Sequence, residues 1–226
     1  MIRFLILSDA RSGTMMLADA IDELSCVALH NLYAANPQNP KGSHRNWIEF
    51  QRKREEGITH KGTTMHRVGD GWVRTMSPIP VEVFWETVNR QHEKVICLHR
   101  ENLLRRFLSQ KVGVVLKSYG VHQPRTKDPG SIKLPLLELV EFIGATEILH
   151  EKIDVFFPDA LIVTYEELDL LWESTIEKIA GYLQLPEVPR KQVTIKQETR
   201  PLIDAIENYR EIAAYLTEQG LSHWLK

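Results

Sequence analysis

The stretch IRFLILSDARSGTMML, residues 2–17, decides the fold of this chain. It opens with the apolar run Ile2–Leu7, whose length and partly β-branched composition predict a buried strand. Arg11–Thr14 come shortly afterwards, and apolar residues then recur at helical spacing from Met15 to Leu24. A strand, a tight turn and a helix in this order are typical of α/β proteins that bind a phosphate group at the turn.

The residues of this turn are suited to binding an anion. Gly13 lets the backbone approach a ligand closely, and the helix that follows offers unbonded N–H groups at the positive end of its dipole. Ser12 and Thr14 add hydroxyl donors, while Arg11 adds a charged guanidinium. An ordinary helix cap made by Ser12 or Thr14 would use the same residue types, so both interpretations stay open.

The turn differs from the Walker A loop of P-loop kinases and other nucleotide-binding proteins. That loop needs Gly, four residues and then Gly-Lys-[Ser/Thr], and here Ser8 and Thr14 stand where the first glycine and the lysine would be. A kinase of the same architecture would also place a carboxylate for Mg²⁺ at a strand end. The sequence therefore favours another phosphate chemistry, with the P-loop kinase kept as an alternative.

Three segments in chain order resemble the motifs of one family, the sulfotransferases. Arg11–Thr14 after a first strand resembles the loop for the 5′-phosphosulfate, usually Pro-[Lys/Arg]-Ser-Gly-[Thr/Ser], with Ala10 in place of the proline. Val95–Ser109 resembles the motif for the 3′-phosphate, and Val163–Leu168 resembles the Tyr-Glu-[Asp/Glu]-Leu segment after a late strand. The order of these motifs makes the resemblance stronger than any one of them does.

Near the C-terminus, Lys196-Gln197 and Ile206–Tyr209 resemble the bacterial carbohydrate branch, which includes the nodulation-factor sulfotransferases. The resemblance implies a single domain, residues 1–226, with a P-loop-NTPase-like α/β fold in three layers (α/β/α) around a mainly parallel sheet. It also implies an enzyme that moves a sulfuryl group from 3′-phosphoadenosine-5′-phosphosulfate (PAPS) to a hydroxyl or amine. The acceptor would be a small molecule or a carbohydrate, the nucleotide product would be 3′-phosphoadenosine-5′-phosphate (PAP), and no metal would be needed.

The resemblance also assigns residues to the nucleotide. The 5′-phosphate end would be held by five consecutive residues: Arg11, Ser12, Gly13, Thr14 and Met15. The 3′-phosphate would be held by Arg100 and by Ser109, which lies nine residues later, where many members have eight. Arg105 and Arg106 are alternative donors on the same predicted helix, although a solvated helix face is the simpler interpretation of both.

Three residues are candidates for the transfer chemistry. Lys61, at the end of the short predicted strand Ile58–Lys61, resembles a family lysine that stabilises charge on the leaving group. His66 resembles the histidine base of some branches, and Asp19 stands where other branches place a catalytic glutamate. Two incidental basic residues in a solvated loop are the alternative interpretation of Lys61 and His66, and Asp19 lies on the face that a solvated carboxylate would occupy.

Composition excludes several classes of protein. With 28 basic and 30 acidic residues among 226, the net charge is −2, which argues against general binding of nucleic acid. Two cysteines, Cys26 and Cys97, indicate no disulfide framework. Neither an apolar stretch of membrane-spanning length nor a signal peptide is evident, so the sequence predicts a cytoplasmic protein. The oligomeric state is not readable from the sequence.

The remaining pattern alternates strands with helices, as a parallel sheet requires. Loops that would shape an acceptor site lie at Leu32–Ser43, Thr63–Pro80 and Ser118–Lys133, and they carry no recognisable code for an acceptor. Further strands are predicted at Val27–Leu29, Lys94–His99 and Ala160–Thr164. Further helices are predicted at Val81–Gln91, Asn102–Leu116, Leu134–Phe157, Leu170–Leu185 and Pro201–Leu216. A non-catalytic domain of the same fold would show the same pattern and is a second alternative.

Overall fold

The computed structural model describes residues 1–31, 56–66, 80–116, 128–190 and 200–226, without the side chains of His30, Asn31 and His66. The chain forms two compact units. The first comprises Met1–His99 with Leu149–Gln192, and the second Arg100–Ile148 with Val193–Lys226. The single domain expected over residues 1–226 stays a prediction. Of the predicted acceptor loops, Leu32–Ser43 and most of the other two lie outside the described residues.

Five parallel strands form the sheet of the first unit within the described residues. They are β1 (Ile2–Ser8), β2 (Val27–Asn31), β3 (His60–His66), β4 (Lys94–His99) and β5 (Leu161–Thr164), in the spatial order β2-β3-β1-β4-β5. The first strand lies at the centre, with Ser8 level with His66 on one side and Leu98 on the other. The carboxyl ends of β3, β1 and β4 therefore meet at one edge of the sheet, where open α/β sheets bind ligands.

Described helices follow β1, β3, β4 and β5 in the chain. They are α1 (Thr14–Asp22), α2 (Val81–Gln91), α3 (Leu103–Leu116), α4 (Leu136–Asp154), α5 (Tyr165–Leu170), α6 (Trp172–Leu183), α7 (Leu202–Ala205) and α8 (Tyr209–Glu218), with a 3₁₀ turn at Ser222–Leu225. None of the described helices combines the length and the apolar character that crossing a membrane requires. The boundary between the two units falls within α4.

Alternation of side chains along β1 creates the three layers of the first unit. Phe4 and Ile6 pack with apolar residues of α1, α5 and α6 on one face, whereas Leu5 and Leu7 pack with those of α2 and of the chain around Ile153 on the other. All four β1 side chains are completely buried. Burial of each large apolar side chain contributes about 1.5–3 kcal/mol, which fixes the strand at the centre of the sheet. The predicted three-layer α/β/α fold with a parallel sheet is confirmed.

The third strand is longer than the sequence predicted, and it lies later in the chain. The expected strand ended at Lys61, whereas β3 runs from His60 to His66. Gly62, the first residue after the predicted strand, lies within β3, paired with Phe4 and Leu29, and its neighbours leave no room for a side chain. A Cβ atom at this position would meet Phe4 Cζ at 2.2 Å and Leu29 Cδ1 at 2.5 Å. Gly62 therefore marks a close approach of side chains from the two flanking strands.

The Tyr-Glu-Glu-Leu segment forms a helix of its own. Thr164, the last residue of β5, accepts a hydrogen bond at its side chain from the Glu167 backbone N–H at 3.0 Å, and the Glu167 carboxylate accepts one from the Thr164 N–H at 2.7 Å. This reciprocal capping box starts α5 directly at the end of the strand. Leu171 interrupts the helix before α6, so the predicted helix Leu170–Leu185 is shorter at both ends.

The second unit has its own core, formed by apolar residues of α3, the first part of α4, α7 and α8. The single helix predicted over Pro201–Leu216 is wrong, because Ile206 leaves the helical path and pairs with Ile132 in an isolated parallel bridge. The amide of Asn208 fixes this break. Its Oδ1 accepts from the Leu134 N–H, and its Nδ2 donates to the Leu134 carbonyl, each at 2.9 Å.

Candidate functional site at the carboxyl ends of the strands

The loop between β1 and α1 has the backbone of an anion-binding turn. Arg11 has φ 67° and Gly13 has φ 83°, whereas Ser12 between them has a negative φ. Alternation of the sign of φ turns successive N–H groups towards the same side, which forms a concave site for an anion. Arg11 is one of two described residues other than glycine with a positive φ, a conformation that costs about 1–2 kcal/mol. The chain therefore keeps a strained residue at the predicted phosphate loop.

The start of α1 leaves its first N–H groups without a side-chain cap. Gly13 is the N-cap residue, and no side chain makes a capping hydrogen bond there. The alternative that Ser12 or Thr14 is an ordinary helix cap is therefore wrong. The positive dipole end of this helix lies at the carboxyl edge of the sheet, as in known phosphate sites.

The two hydroxyl groups of the loop differ in their surroundings. Ser12 is completely buried, and its Oγ has no hydrogen-bond partner among the described residues. An unsatisfied buried hydroxyl costs about 1–3 kcal/mol, so the fold leaves a hydrogen bond unmade at this loop. Thr14 Oγ1 lies 2.7 Å from Ser8 Oγ, and this buried pair ties the loop to the end of β1.

Met15 and Asp19 follow the loop on α1. Both side chains are half-buried, so the fully solvated face considered for Asp19 is not what the structure shows. Asp19 lies five residues beyond Thr14, about 7.5 Å along the helix axis at 1.5 Å per residue. The Asp19 carboxylate is therefore one turn beyond the groups of Arg11–Thr14 that would contact an anion.

The register of the sheet changes the interpretation of Lys61. Lys61 pairs with Arg3 of β1 and Ala28 of β2, so it lies near the amino ends of the strands. The loop is at the opposite edge, five residues further along β3, which is about 16 Å at 3.3 Å per residue. Lys61 is also completely buried, with 1% of its surface exposed. Its predicted place at a strand end is wrong, and the register does not support contact with a group bound at the loop.

His66, and not Lys61, lies at the carboxyl end of the strand. It is the last residue of β3 and is level with Ser8, directly beside the start of the loop. Its side chain lies outside the described ones.

The residues predicted for the 3′-phosphate belong to the second unit. Arg100 is half-buried and follows β4 directly, and Ser109 is buried on α3. The solvated face expected for Arg106 is wrong. This guanidinium is buried, lies 4.9 Å from the centre of the Phe142 ring and donates to Thr146 Oγ1 at 3.3 Å. Arg106 therefore has a structural role within the second unit.

A cluster of three side chains in the first unit was missed by the sequence analysis. Asp9, His99 and His150 offer ligand atoms that all lie within 4.8 Å of one another. Asp9 follows β1 and His99 ends β4, so their places after neighbouring strands were a usable signal. His150 comes from α4, and nothing in its local sequence indicates where that helix packs. These three side chains could hold a metal ion. The expectation that the transfer reaction needs no metal stays a prediction.

Comparison with known proteins finds a likeness of fold. No protein-family model matches the chain. No curated protein matches it either. Among solved structures, the chain is similar to mouse sulfotransferase SULT7A1, whose crystal structure was determined in complex with PAP. The two share 15% of residues with a TM-score of 0.50, over 82% of this chain and 59% of that chain. The chain thus spans about three fifths of the length of the mouse protein, and at this identity the likeness shows the sulfotransferase fold alone.

Proposed function

We propose that this protein is a PAPS-dependent sulfotransferase acting on a hydroxyl or amine of a small-molecule or carbohydrate acceptor. The observation that carries the proposal is the loop Arg11–Thr14, with two left-handed residues and a buried, unsatisfied Ser12 hydroxyl. This backbone suits a phosphate oxygen, and the loop sequence is the one that resembles the 5′-phosphosulfate motif. Closeness to the bacterial nodulation-factor branch stays a prediction.

The residues of the loop favour PAPS over a nucleoside triphosphate as the ligand. A Walker loop places a lysine against the β- and γ-phosphates, whereas here Thr14 stands at that position and bonds to Ser8. A single phosphosulfate group needs fewer positive charges than a triphosphate with its Mg²⁺. The mouse protein of similar fold binds PAP, which supports the same nucleotide here.

The reaction would be an in-line displacement at sulfur. The acceptor oxygen or nitrogen forms a bond to sulfur as the bond from sulfur to the bridging oxygen of the 5′-phosphate breaks, and PAP leaves. Catalysis of this kind relies on positioning and on stabilising charge at the leaving oxygen. The N–H groups of the loop, Ser12 Oγ and the Arg11 guanidinium are the groups of this chain that would hold that oxygen.

The proton of the acceptor needs a base, and two candidates remain. Asp19 is on the second turn of α1, and His66 is at the carboxyl end of β3. Both belong to elements that border the loop, whereas Lys61 lies at the other end of its strand and is not included in the mechanism. The 3′-phosphate is assigned to Arg100 and Ser109 on the family resemblance.

Calorimetric titration with PAP, AMP and ATP, each with and without Mg²⁺, tests the nucleotide. The proposal expects PAP to bind more tightly than AMP, with no requirement for Mg²⁺. Preference for ATP with Mg²⁺ would favour the P-loop kinase instead. Transfer of labelled sulfate from PAPS to a panel of sugars and phenols then tests turnover, and PAP binding without any transfer would favour the non-catalytic domain.

A further inference from the structure

A cluster of metal-ligating side chains lies at the carboxyl edge of the sheet in the first unit. Asp9 directly follows β1, and its N–H donates to the Leu98 carbonyl at 3.2 Å, which holds it beside the end of β4. His99 is the last residue of β4, and His150 lies near the end of α4. The fold thus brings these three groups together from separate segments of the chain.

The cluster sits on the face of the sheet that α1 does not cover. Odd-numbered residues of β1 and β4, such as Leu7 and Cys97, pack on the α2 side with the chain around Ile153. Asp9 and His99 continue that alternation. The cluster therefore lies on the α2 side of the sheet, whereas α1, the helix that follows the anion loop Arg11–Thr14, packs on the opposite side.

The contacts within the cluster are close and polar. Asp9 Oδ2 lies 2.8 Å from His150 Nε2, and Asp9 is completely buried. The rings of His99 and His150 meet edge to face, with centroids 4.6 Å apart and planes at 90°. The side chain of His150 retains 20% of its exposure, so the cluster has a path to solvent.

We propose that Asp9, His99 and His150 bind a divalent transition-metal ion, with Zn²⁺ the best match. Two imidazole nitrogens and one carboxylate oxygen are a donor set that Zn²⁺ takes, leaving a fourth position for water. Bonds of about 2.0–2.2 Å at tetrahedral angles place ligand atoms roughly 3.3 Å apart. The separations seen here, from 2.8 Å to at most 4.8 Å, bracket that value, so small side-chain rotations suffice.

Other cations fit this set less well. Mg²⁺ and Ca²⁺ prefer six or more oxygen ligands, whereas two of the three donors here are nitrogens. Without a metal, a hydrogen bond from His150 would still give the buried Asp9 carboxylate a partner. It does not account for a second imidazole at the same place, and a cation would compensate the buried charge more completely.

The metal site is independent of the proposed transfer activity, so it is tested without an activity assay. Chelator-treated protein is titrated calorimetrically with ZnCl₂, and separately with CoCl₂ while the visible d–d absorption is recorded. We expect one ion per chain and a cobalt spectrum of nitrogen and oxygen ligands without thiolate charge transfer. We also expect Zn²⁺ to raise the melting temperature, because an ion that binds only the folded state stabilises it.

Variants connect the binding to the cluster. Loss of an outer-shell partner lowers metal affinity by roughly 10–100-fold, and loss of a direct ligand should lower it further. His150→Ala and Asp9→Asn should therefore abolish one-to-one binding. His99→Asn, at a half-buried position, serves if either of these variants fails to fold by circular dichroism. His223→Gln removes an exposed histidine elsewhere and should leave binding unchanged.

Two results would overturn the proposal. One is no stoichiometric binding of Zn²⁺ or Co²⁺ by the unmutated protein. The other is binding that persists in all folded variants of Asp9, His99 and His150, because the ion would then occupy other residues among the nine histidines and two cysteines.

Discussion

A Cβ atom at Gly13 would lie 2.8 Å from Cδ2 of Tyr165, closer than a Cβ atom comes to non-bonded atoms in proteins. Gly13 belongs to the anion loop, and Tyr165 begins α5 directly after β5. The loop motif and the Tyr-Glu-Glu-Leu motif, far apart in the chain, therefore pack against each other, and the Tyr165 ring fills the space beside Gly13. The tyrosine of the Tyr-Glu-Glu-Leu segment thus shapes the loop and need not touch the ligand.

Gly13→Ala should destabilise the protein and weaken PAP binding. The φ of 83° is unfavourable for alanine, and the new methyl group would push the Tyr165 ring away. A residue other than glycine in such a conformation costs about 1–3 kcal/mol of unfolding free energy, measured by urea denaturation. Gly181→Ala, within α6 and with nothing within 4 Å of the added Cβ, is the matched control and should stabilise by roughly 0.5–1 kcal/mol. Equal stability of the Gly13 variant and the unmutated protein would contradict the packing described.

Ser12→Ala and Arg100→Ala should show which residue binds the 5′-phosphate and which binds the 3′-phosphate. The 5′-phosphate is common to PAP and AMP, so loss of the Ser12 hydroxyl should weaken both by about 1.5–3 kcal/mol. The 3′-phosphate is present only in PAP, so Arg100→Ala should weaken PAP by a similar amount and leave AMP unchanged. Calorimetry of both variants with both nucleotides measures this. Equal affinity of the unmutated protein for PAP and AMP would remove the assignment of Arg100.

Lys61→Ala should affect stability rather than turnover. Lys61 is buried next to β1 and β2 at the amino ends of the strands, so its removal leaves a cavity in the sheet and costs roughly 2–5 kcal/mol. Turnover per folded molecule should remain close to normal because the anion loop is at the other edge. Lys61→Met, which keeps most of the volume, should regain much of the stability. If turnover collapses while the unfolding free energy is unchanged, the catalytic role first assigned to Lys61 is correct after all.

Asp19→Asn and His66→Gln should identify the base. A general base contributes roughly 10²–10⁴-fold to the rate, and each replacement removes the base while nearly keeping size and hydrogen bonding. We expect one variant to lose turnover with little change in PAP affinity and the other to keep both, measured by initial rates and calorimetry. Near-normal rates in both variants would exclude both residues and leave the acceptor or another group to take the proton.

The sequence predicted the fold well because its signals were local. The run Ile2–Leu7 and the apolar spacing of α1 each describe one element, and the alternation of strands and helices leaves few topologies. The errors arose where a distant residue decides the local structure. Phe4 and Leu29 place Gly62 inside a strand, and Asn208 stops a helix by bonding to Leu134.

The site was predicted less completely for the same reason. The loop Arg11–Thr14 is continuous in sequence, so its residues could be singled out together, and their role at the nucleotide stays a prediction. Lys61 was assigned to the wrong edge of the sheet because the extent of β3 depends on its neighbours. The grouping of Asp9 with His150 depends on how a helix from a distant segment packs, which local patterns do not reveal.

His92 should make the protein less stable as the pH falls below neutrality. The pKa of His92 is lowered to about 4 from its ordinary 6.5, chiefly by burial and to a smaller extent by the nearby Arg3 cation, against the opposing effect of a hydrogen bond from Nδ1–H to the Val88 carbonyl at 2.6 Å. The folded protein therefore keeps this imidazole neutral, and the unfolded chain takes up a proton first. The stabilisation is complete above about pH 6.5 and is lost progressively as the pH falls towards about 4, by an amount on the order of 3 kcal/mol.

Urea denaturation of the unmutated protein and of His92→Gln between these pH values measures the effect. The glutamine does not titrate and retains a donor for the Val88 carbonyl, so the variant should lose less unfolding free energy over the window than the unmutated protein does. His223→Gln, at an exposed position elsewhere in the chain, should follow the unmutated protein, because the change leaves His92 and its surroundings as they are. Since carboxylates contribute equally in all three proteins, the difference between the curves isolates His92. Parallel curves for His92→Gln and the unmutated protein would show that this imidazole takes up its proton without opposing the fold.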